Sequence, residues 1–304
     1  MLTGRFAPSP SGRMHLGNVF SALLAWLSVR SRGGRMLLRI EDLDPDRCRP
    51  EYAETLKRDL DWLGLDWDAE QTPQSRRTEA YRAEFDKLAA LGLVYPCYCS
   101  RAELHAASAP HLSDGRVVYT GRCRGLTAEE IAEKRKRRGA ATRVIVPDET
   151  VVFTDGLAGV CREHLPTECG DFIIRRSDGV FAYQLAVVVD DGREGVTEVV
   201  RGRDLLGSTA RQIWLHRLLG FTPPHFVHIP LLNDAAGRRL SKRDADLDLG
   251  VLRTRFSPAE LTGALAFAAG LIDTPVPVTP RELIADFSWD RLPQDDLRLP
   301  DRFF

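Results

Sequence analysis

The chain has 304 residues, 43% of them hydrophobic, which is enough for two or three units with a substantial core and no disulfide framework. Its 42 basic and 43 acidic side chains leave a net charge of −1, which excludes a global basic field, so any nucleic-acid contact must come from a local patch. Six unevenly spread cysteines are typical of a reducing compartment, and we expect a cytoplasmic protein.

The first chemical signal is a turn between an extended segment and an apolar helix. Pro8 and Pro10 favour extended backbone, Gly12 permits a tight turn, and residues 19–29 are predicted to form a buried helix. The start of that helix would present unpaired N–H groups and a positive dipole end, which suit a phosphate. His15 lies at this turn. No apolar run approaches the ~20 residues of a membrane span, so no membrane contact is expected.

The next segments alternate strand and helix. Residues 34–44 are predicted to form a strand whose carboxyl end carries Glu41 and Asp42, the position at which open parallel sheets bind ligands. Residues 50–63 and 78–91 have helical spacing. The pattern predicts an α/β domain with a doubly wound parallel sheet.

Beyond Gly92 the alternation stops, which indicates an insertion. A capping box from Thr127 to Glu130 begins a helix that Gly139 ends, and five consecutive cations at 134–138 lie within it. They are either a solvated helix face or a contact to RNA phosphates. Strands are predicted at 142–146 and 151–154.

Cysteines in this insertion have the chemistry of a zinc site. Cys97, Cys99 and Cys123 would supply three thiolates to a tetrahedral Zn²⁺, while three ordinary free thiols are the alternative. From the residues alone the fourth donor stays open among Tyr119, His105 and His111. The remaining cysteines, Cys48, Cys161 and Cys169, are predicted to be small buried hydrophobes.

The α/β pattern returns from residue 171 onward. We predict a hairpin over 172–183, an apolar run at 185–191 that ends in paired acids, strands at 196–200 and 226–232, and helices at 208–219, 257–269 and 280–285. Between them, a turn-rich segment leads to Ser241 and Lys242. A helix-start histidine and a mobile lysine are what two-site clamping of an ATP phosphate tail requires, so His15 and Lys242 are the predicted catalytic pair.

Two motifs carry a resemblance to a known family. His15-Leu16-Gly17-Asn18 and Arg239-Leu240-Ser241-Lys242-Arg243 stand where the class I glutamyl-tRNA synthetases have their HIGH and KMSKS motifs, and the chain resembles that family's catalytic core over nearly its whole length. The resemblance implies ATP binding, with Mg²⁺, by His15, Gly17, Asn18, Arg239, Leu240, Ser241, Lys242 and Arg243.

The resemblance also implies an architecture. It is a class I synthetase Rossmann-type doubly wound parallel sheet, split by a zinc-containing acceptor-binding insertion and followed by a small C-terminal helical subdomain. The implied segments are residues 1–92 and 176–236 for the two halves of the catalytic domain, 93–175 for the insertion, and 237–304 for the KMSKS-like loop and a helical stem-contact-like subdomain. Tyr119 would be the fourth ligand of a structural zinc.

For the amino acid, the resemblance implies L-glutamate contacts from Arg5, Phe6, Ala7, Pro8, Ser9, Glu41, Tyr183 and Arg201. A dicarboxylic amino acid needs two cationic or N–H-rich cradles and one anion for its amine, and arginine binds carboxylate through two hydrogen bonds. The alternative role for Arg5 and Arg201 is a salt bridge to Asp42 or Asp204.

Two differences between this chain and the full-length enzymes resemble one branch of the family. Where full-length glutamyl-tRNA synthetases have an asparagine and a tryptophan in the pocket, this chain has Val187 and Leu205, and only about sixty residues follow the KMSKS-like motif, so no anticodon-binding domain is expected. The branch activates L-glutamate to glutamyl-adenylate with ATP and transfers it to queuosine in the anticodon of tRNA(Asp). We expect a monomer with this activity.

Three alternatives remain. The chain could be a truncated or discriminating glutamyl-tRNA synthetase that charges a tRNA 3′ end. It could be a different nucleotidyl transferase that activates another acid, or a non-catalytic zinc and RNA-binding module.

Overall fold

The structure is a computed structural model that describes residues 1–100, 103, 118–234, 237, 247–299 and 303. Its strands are Thr3–Phe6 (β1), Arg35–Leu38 (β2), Ala69–Glu70 (β3), Val94–Cys97 (β4), Ala141–Val144 (β5), Thr150–Asp155 (β6), Gly159–His164 (β7), Phe172–Arg175 (β8), Glu198–Gly202 (β9), His225–Ile229 (β10), Leu232–Asn233 (β11) and Leu297–Arg298 (β12). Its helices are Leu16–Arg30 (α1), Pro50–Leu63 (α2), Thr78–Ala90 (α3), Ala128–Arg137 (α4), Leu165–Glu168 (α5), Tyr183–Arg193 (α6), Thr209–Leu218 (α7), Leu249–Arg255 (α8) and Pro258–Ala268 (α9).

A parallel sheet forms the centre of the fold. Its five strands lie in the order β10-β9-β1-β2-β3, and every neighbouring pair runs parallel. The strand order reverses beside β1, which pairs with β2 on one side and with β9 on the other, where Gly4 lies opposite Glu198. A cleft at the carboxyl ends of the strands is expected at such a reversal.

Both faces of the sheet are covered by helices. Met36 and Leu38 of β2 pack into a core with α1 and α2, whereas Leu37 packs into a second core with α3, α6 and α7. Val199 and Val200 of β9 divide between the two cores in the same way. This alternation follows from the two-residue repeat of a strand, and it confirms the α/β class with a parallel sheet.

The residues between α3 and α6 form smaller antiparallel sheets. Strands β4, β5 and β8 make one, and β6 and β7 make a hairpin. Helix α4 begins with the predicted capping box of Thr127 and Glu130, and none of its residues is buried. Its Lys136 and Arg137 pair with Glu133 on the same helix. The helix therefore has a solvated face, and its contact to RNA stays a prediction.

Two local predictions were wrong. The hairpin over 172–183 is reduced to β8 and one bridge between Arg175 and Phe181, because the chain enters α6 at Tyr183. The apolar run 185–191, for which no secondary structure was predicted, is the buried middle of that helix, where uniform burial hides the helical period. Residues 280–286 form turns and not a helix, whereas β7 and α8 were not predicted.

No helix within the described ranges has the length and apolar character needed to cross a bilayer. The division of the chain into four segments stays a prediction.

Candidate active site

A cleft of about 860 Å³ opens at the carboxyl ends of β1 and β9, beside the reversal of strand order. Every residue predicted to bind glutamate lines it, together with the three described residues predicted to bind ATP: Arg5, Phe6, Ala7, Pro8, Ser9, Glu41, Tyr183, Arg201, His15, Gly17 and Asn18. The fold thus brings these residues together from both halves of the parallel sheet. The predicted ATP residues Arg239, Leu240, Ser241, Lys242 and Arg243 lie outside the described residues, as do His105 and His111.

His15 caps the helix that begins at this cleft. Its Nδ1 accepts a hydrogen bond from the N–H of Gly17 at 3.1 Å, and Asn18 Oδ1 accepts the N–H of His15 at 3.3 Å. Because Nδ1 is an acceptor, the proton of the neutral ring lies on Nε2. Gly17 leaves room for this arrangement, since a Cβ there would lie 3.0 Å from His15 Cε1.

A buried ion network includes Arg5 and Glu41, two of the residues that line the cleft. Arg39 is fully buried, and its guanidinium donates to Asp191 Oδ1 at 2.7 Å, to Glu194 Oε2 at 2.7 Å and to Glu41 Oε1 at 3.3 Å. Arg5 Nε donates to the same Asp191 oxygen at 3.4 Å. Burial opposes ionisation of Asp191, but Arg39 and Arg5 outweigh it and hold the pKa of this carboxyl below its ordinary value.

Glu41 is the carboxylate of the network that reaches the cleft. It is 9% exposed, and burial raises its pKa to about 7 against the opposing charges of Arg39 and Arg5. An ammonium group entering the cleft would be attracted to the ionised form of this side chain. Glu41 therefore has the environment expected of a group that binds an amine.

Arg201 is buried among neutral partners. Its Nε donates to His228 Nε2 at 3.0 Å, its Nη1 donates to Gln212 Oε1 at 2.8 Å, and its Nη2 donates to Thr209 Oγ1 at 3.0 Å. No described carboxylate lies within salt-bridge distance of it, and burial lowers the pKa of this guanidinium. A buried cation without an anionic partner is suited to a substrate carboxylate.

The alternative salt-bridge partners of the two arginines are therefore wrong. Arg5 pairs with Asp191, while Asp42 instead accepts hydrogen bonds from the N–H and hydroxyl of Ser75. At the two branch positions, Leu205 lines the cleft, whereas Val187 is buried in the core.

The predicted zinc ligands form a compact cluster. The three sulfur atoms of Cys97, Cys99 and Cys123 lie within 4.8 Å of one another. The Cys99 and Cys123 sulfurs are 3.6 Å apart, and Tyr119 Oη lies 3.6 Å and 3.8 Å from those of Cys97 and Cys99. A Zn–S bond of about 2.3 Å implies tetrahedral edges of about 3.8 Å, so this donor set fits Zn²⁺.

Arg143 contacts two members of this cluster. Arg143 Nε donates to Cys97 Sγ at 3.2 Å, and its guanidinium lies 3.6 Å from the centroid of the Tyr119 ring. None of the six cysteines forms a disulfide, and Cys169 is buried as predicted. Cys48 and Cys161 are only partly buried, so their assignment to the core was wrong.

The sequence did not reveal several residues that support the cleft. Arg39 and Asp191 belong to segments predicted from their apolar character, and Asp155 and His228 were not singled out. The paired acids at the end of the run 185–191 were the one available signal, because adjacent carboxylates after an apolar stretch require buried cations.

Known proteins resemble the chain over most of its length. The family described as tRNA synthetases class I (E and Q), catalytic domain, matches residues 1–261. Proteins named glutamyl-Q tRNA(Asp) synthetase from Nitratidesulfovibrio vulgaris and Symbiobacterium thermophilum are each 50% identical, over 99% of this chain and 96% of their own length. A crystal structure of a glutamate tRNA ligase from Elizabethkingia meningosepticum, in complex with its amino acid, has a TM-score of 0.83 at 25% identity and covers 99% of this chain and 68% of that one.

These findings confirm the predicted family and its α/β fold. The chain belongs to the class I tRNA synthetases of the glutamate and glutamine group, and within that group to the family of glutamyl-Q tRNA(Asp) synthetases.

Proposed function

We propose that this protein activates L-glutamate with ATP to glutamyl-adenylate and transfers the glutamate to queuosine in the anticodon of tRNA(Asp). The observation that carries the proposal is the cleft in which two buried arginines, Arg5 and Arg201, and the carboxylate of Glu41 lie beside the helix start at His15. The acceptor is taken from the names of the relatives that are 50% identical.

Glutamate has two carboxylates and one ammonium group, and the cleft offers a complement to each. Arg5 and Arg201 would receive the carboxylates, and ionised Glu41 would receive the ammonium. Tyr183 lines the same cleft at the first residue of α6, with Phe6, Ala7, Pro8 and Ser9 along the wall. The selectivity of the site would come from the buried charges, since an uncharged side chain would leave one of them unpaired.

The first chemical step is attack of a glutamate α-carboxylate oxygen on the α-phosphorus of ATP. The new bond gives glutamyl-adenylate, and the bond to the bridging oxygen breaks and releases pyrophosphate. His15 Nε2–H and the N-terminus of α1 would hold the phosphates, as would Gly17 and Asn18. Lys242 would neutralise the charge that develops on the phosphates, and Arg239, Leu240, Ser241 and Arg243 of the same motif would also bind them. Mg²⁺ would arrive with the phosphates of ATP.

In the second step a queuosine hydroxyl attacks the mixed anhydride. An ester forms, the hydroxyl proton is lost, and AMP leaves. Catalysis in both steps is mainly positioning and charge stabilisation, so no side chain need be modified covalently. Zinc held by Cys97, Cys99, Tyr119 and Cys123 would be structural and would brace the segment that contacts tRNA.

Transfer of labelled glutamate tests the proposal directly. The protein is incubated with ATP, labelled glutamate and tRNA(Asp) that contains or lacks queuosine, and each tRNA is also supplied without its 3′-terminal adenosine. We expect label only on the queuosine-containing tRNA and no dependence on the terminal adenosine. If queuosine-free tRNA is labelled equally, and if the label is lost when the terminal adenosine is absent, the protein is instead an enzyme that charges the 3′ end.

Activation is measured separately by ATP–pyrophosphate exchange without tRNA. We expect exchange with glutamate, its loss in Lys242→Ala, and unchanged exchange in Lys87→Ala, an exposed lysine on α3. Exchange stimulated by another acid would indicate a different acid-activating ligase. The absence of exchange with any amino acid, with and without tRNA, would favour a non-catalytic RNA-binding module.

A further inference from the structure

A buried aspartate and histidine lie directly behind Arg201. Asp155 ends β6, in the hairpin outside the parallel sheet, and His228 belongs to β10 within it. The Asp155 Oδ2 and His228 Nδ1 atoms are 2.6 Å apart, and both side chains are fully buried. On its other side, His228 Nε2 lies 3.0 Å from Arg201 Nε. The three residues therefore form a continuous chain from the hairpin to the cleft.

The two oxygens of Asp155 have different partners. Its Oδ1 accepts the N–H groups of Leu157 at 3.0 Å, Ala158 at 2.9 Å and His228 at 3.2 Å. Its Oδ2 faces the His228 ring. Burial opposes ionisation of this carboxyl, but the hydrogen bonds from His228 and from the backbone hold its pKa at about 2. Asp155 is therefore an ionised acceptor with no proton to give.

This arrangement fixes the tautomer of His228. The ionised Asp155 requires a proton on Nδ1, and the Arg201 Nε–H, which is always present, requires a bare Nε2. If both ring nitrogens of His228 carried protons, its Nε2–H donor would face the Arg201 Nε–H donor, and the positive charges of the two side chains would repel each other. Burial, together with the positive charge of Arg201, lowers the pKa of His228 despite the opposing hydrogen bond to Asp155.

We infer that Asp155 and His228 are positioning residues for the amino-acid site: Asp155 holds His228 in the tautomer whose Nε2 accepts Arg201 Nε–H, and this bond aims the guanidinium at a substrate carboxylate. The inference rests on the proposed function. Gln212, Thr209 and the Leu205 carbonyl accept hydrogen bonds from the two terminal nitrogens, and His228 accepts the one from Nε. Loss of the His228 bond therefore removes one of the four acceptors that fix the orientation of the guanidinium. A residue of the hairpin thereby acts on the substrate pocket without touching it.

The substitution Asp155→Asn tests the pair with almost no change of size. Three backbone N–H groups point at Oδ1, so the amide oxygen must occupy that place and the amide NH₂ must face His228 Nδ1. The NH₂ group needs an acceptor, which moves the histidine proton to Nε2, opposite Arg201 Nε–H. The expected result is a reversed tautomer and a broken hydrogen bond to Arg201.

Two measurements follow from this reversal. In ATP–pyrophosphate exchange, Asp155→Asn should raise the KM for glutamate about tenfold or more, as for a lost hydrogen bond to a charged group, and change the KM for ATP by less than about twofold. In ¹H–¹⁵N spectra of histidine-labelled protein, His228 should carry its proton on Nδ1 in the wild type and on Nε2 in the variant.

Asp148→Asn is the matched control. Asp148 also pairs with a histidine, His164 Nε2 at 2.8 Å, and lies on the segment that leads into β6, but its side chain is 91% exposed. The same substitution there should leave the KM for glutamate unchanged. A general effect of removing an aspartate beside a histidine would appear in both variants and would overturn the inference.

A second pair of variants keeps the test decisive if Asp155→Asn does not fold. The Gln amide oxygen of His228→Gln reaches towards the position of Nε2 and can accept from Arg201, whereas the shorter His228→Asn reaches only Asp155. We expect a lower KM for glutamate in His228→Gln than in His228→Asn. The opposite order, an unchanged KM in a folded Asp155→Asn, or a wild-type proton on Nε2 overturns the inference. A wild type without glutamate-dependent exchange contradicts the proposed function instead, while the spectra still decide the tautomer.

Discussion

Glutamate binding should depend on pH through Glu41. With a pKa of about 7, about a tenth of Glu41 is ionised at pH 6 and about nine tenths at pH 8. If only the ionised form binds the substrate ammonium, the apparent affinity falls in proportion, so the KM for glutamate should be about tenfold higher at pH 6. This is about 1.4 kcal/mol of binding free energy. Glutamate itself keeps its ammonium and both carboxylates over this range.

Calorimetry in buffers of different ionisation enthalpy, together with KM from ATP–pyrophosphate exchange, measures this linkage. At pH 6 binding should release nearly one proton, because the bound ammonium favours ionised Glu41, and at pH 8 it should release almost none. Glu41→Gln should bind glutamate weakly at every pH and lose the dependence, whereas Glu79→Gln, the same change at an exposed carboxyl of α3, should keep it. A KM that stays flat from pH 6 to pH 8 in the wild type would refute the reasoning.

Three further predictions concern the turn at His15 and Gly17, the zinc site and the stability of the fold. Gly17→Ala should raise the KM for ATP several-fold without lowering the melting temperature, since its Cβ would displace the His15 ring while alanine favours the helix; an unchanged KM contradicts this. Purified protein should contain equimolar zinc by mass spectrometry, and Cys99→Ser should reduce it; equal contents in both would exclude this ligand. Burial opposes ionisation of Glu198, but His225, Arg32 and Ser28 hold the pKa of this carboxyl at about 2. The carboxylate should therefore stabilise the fold above its unfolded pKa of 4.5, and this effect should be lost as the pH falls towards 2. Glu198→Gln should therefore lower the denaturant-derived unfolding free energy at pH 7 by about 1 to 3 kcal/mol and less at pH 3, and an equal loss at both pH values contradicts the assignment.

The sequence predicted the helices whose starts are marked by turn or capping residues. The prolines and Gly12 precede α1, and the capping box of Thr127 and Glu130 lies at the start of α4. Both signals act within a few residues of the helix start, and both helices are present. The residues of the cleft were predicted from a family resemblance, and the fold brings all of the described ones to one place.

The features that were not predicted depend on contacts between distant segments. The run 185–191 is buried on every side, so its sequence has no polar face from which a helical period could be detected. Asp155 and His228 are 73 residues apart, and no spacing rule connects them. Arg39, in a segment predicted as an apolar strand, gave no sign of an ion network, because two of its carboxylate partners, Asp191 and Glu194, lie at the end of α6, more than 150 residues later.

The place of β1 in the sheet has a consequence during synthesis. Thr3 bonds to Thr197, 194 residues later, and β9 covers the edge of β1 that β2 leaves open. At ribosomal rates of about 5–20 residues per second, that edge waits about 10 to 40 s for its partner. An unpaired parallel edge invites pairing with other chains. The nascent protein therefore passes through a long interval in which the strand that carries Arg5 is exposed, and a chaperone that shields this edge would protect the growing chain from aggregation.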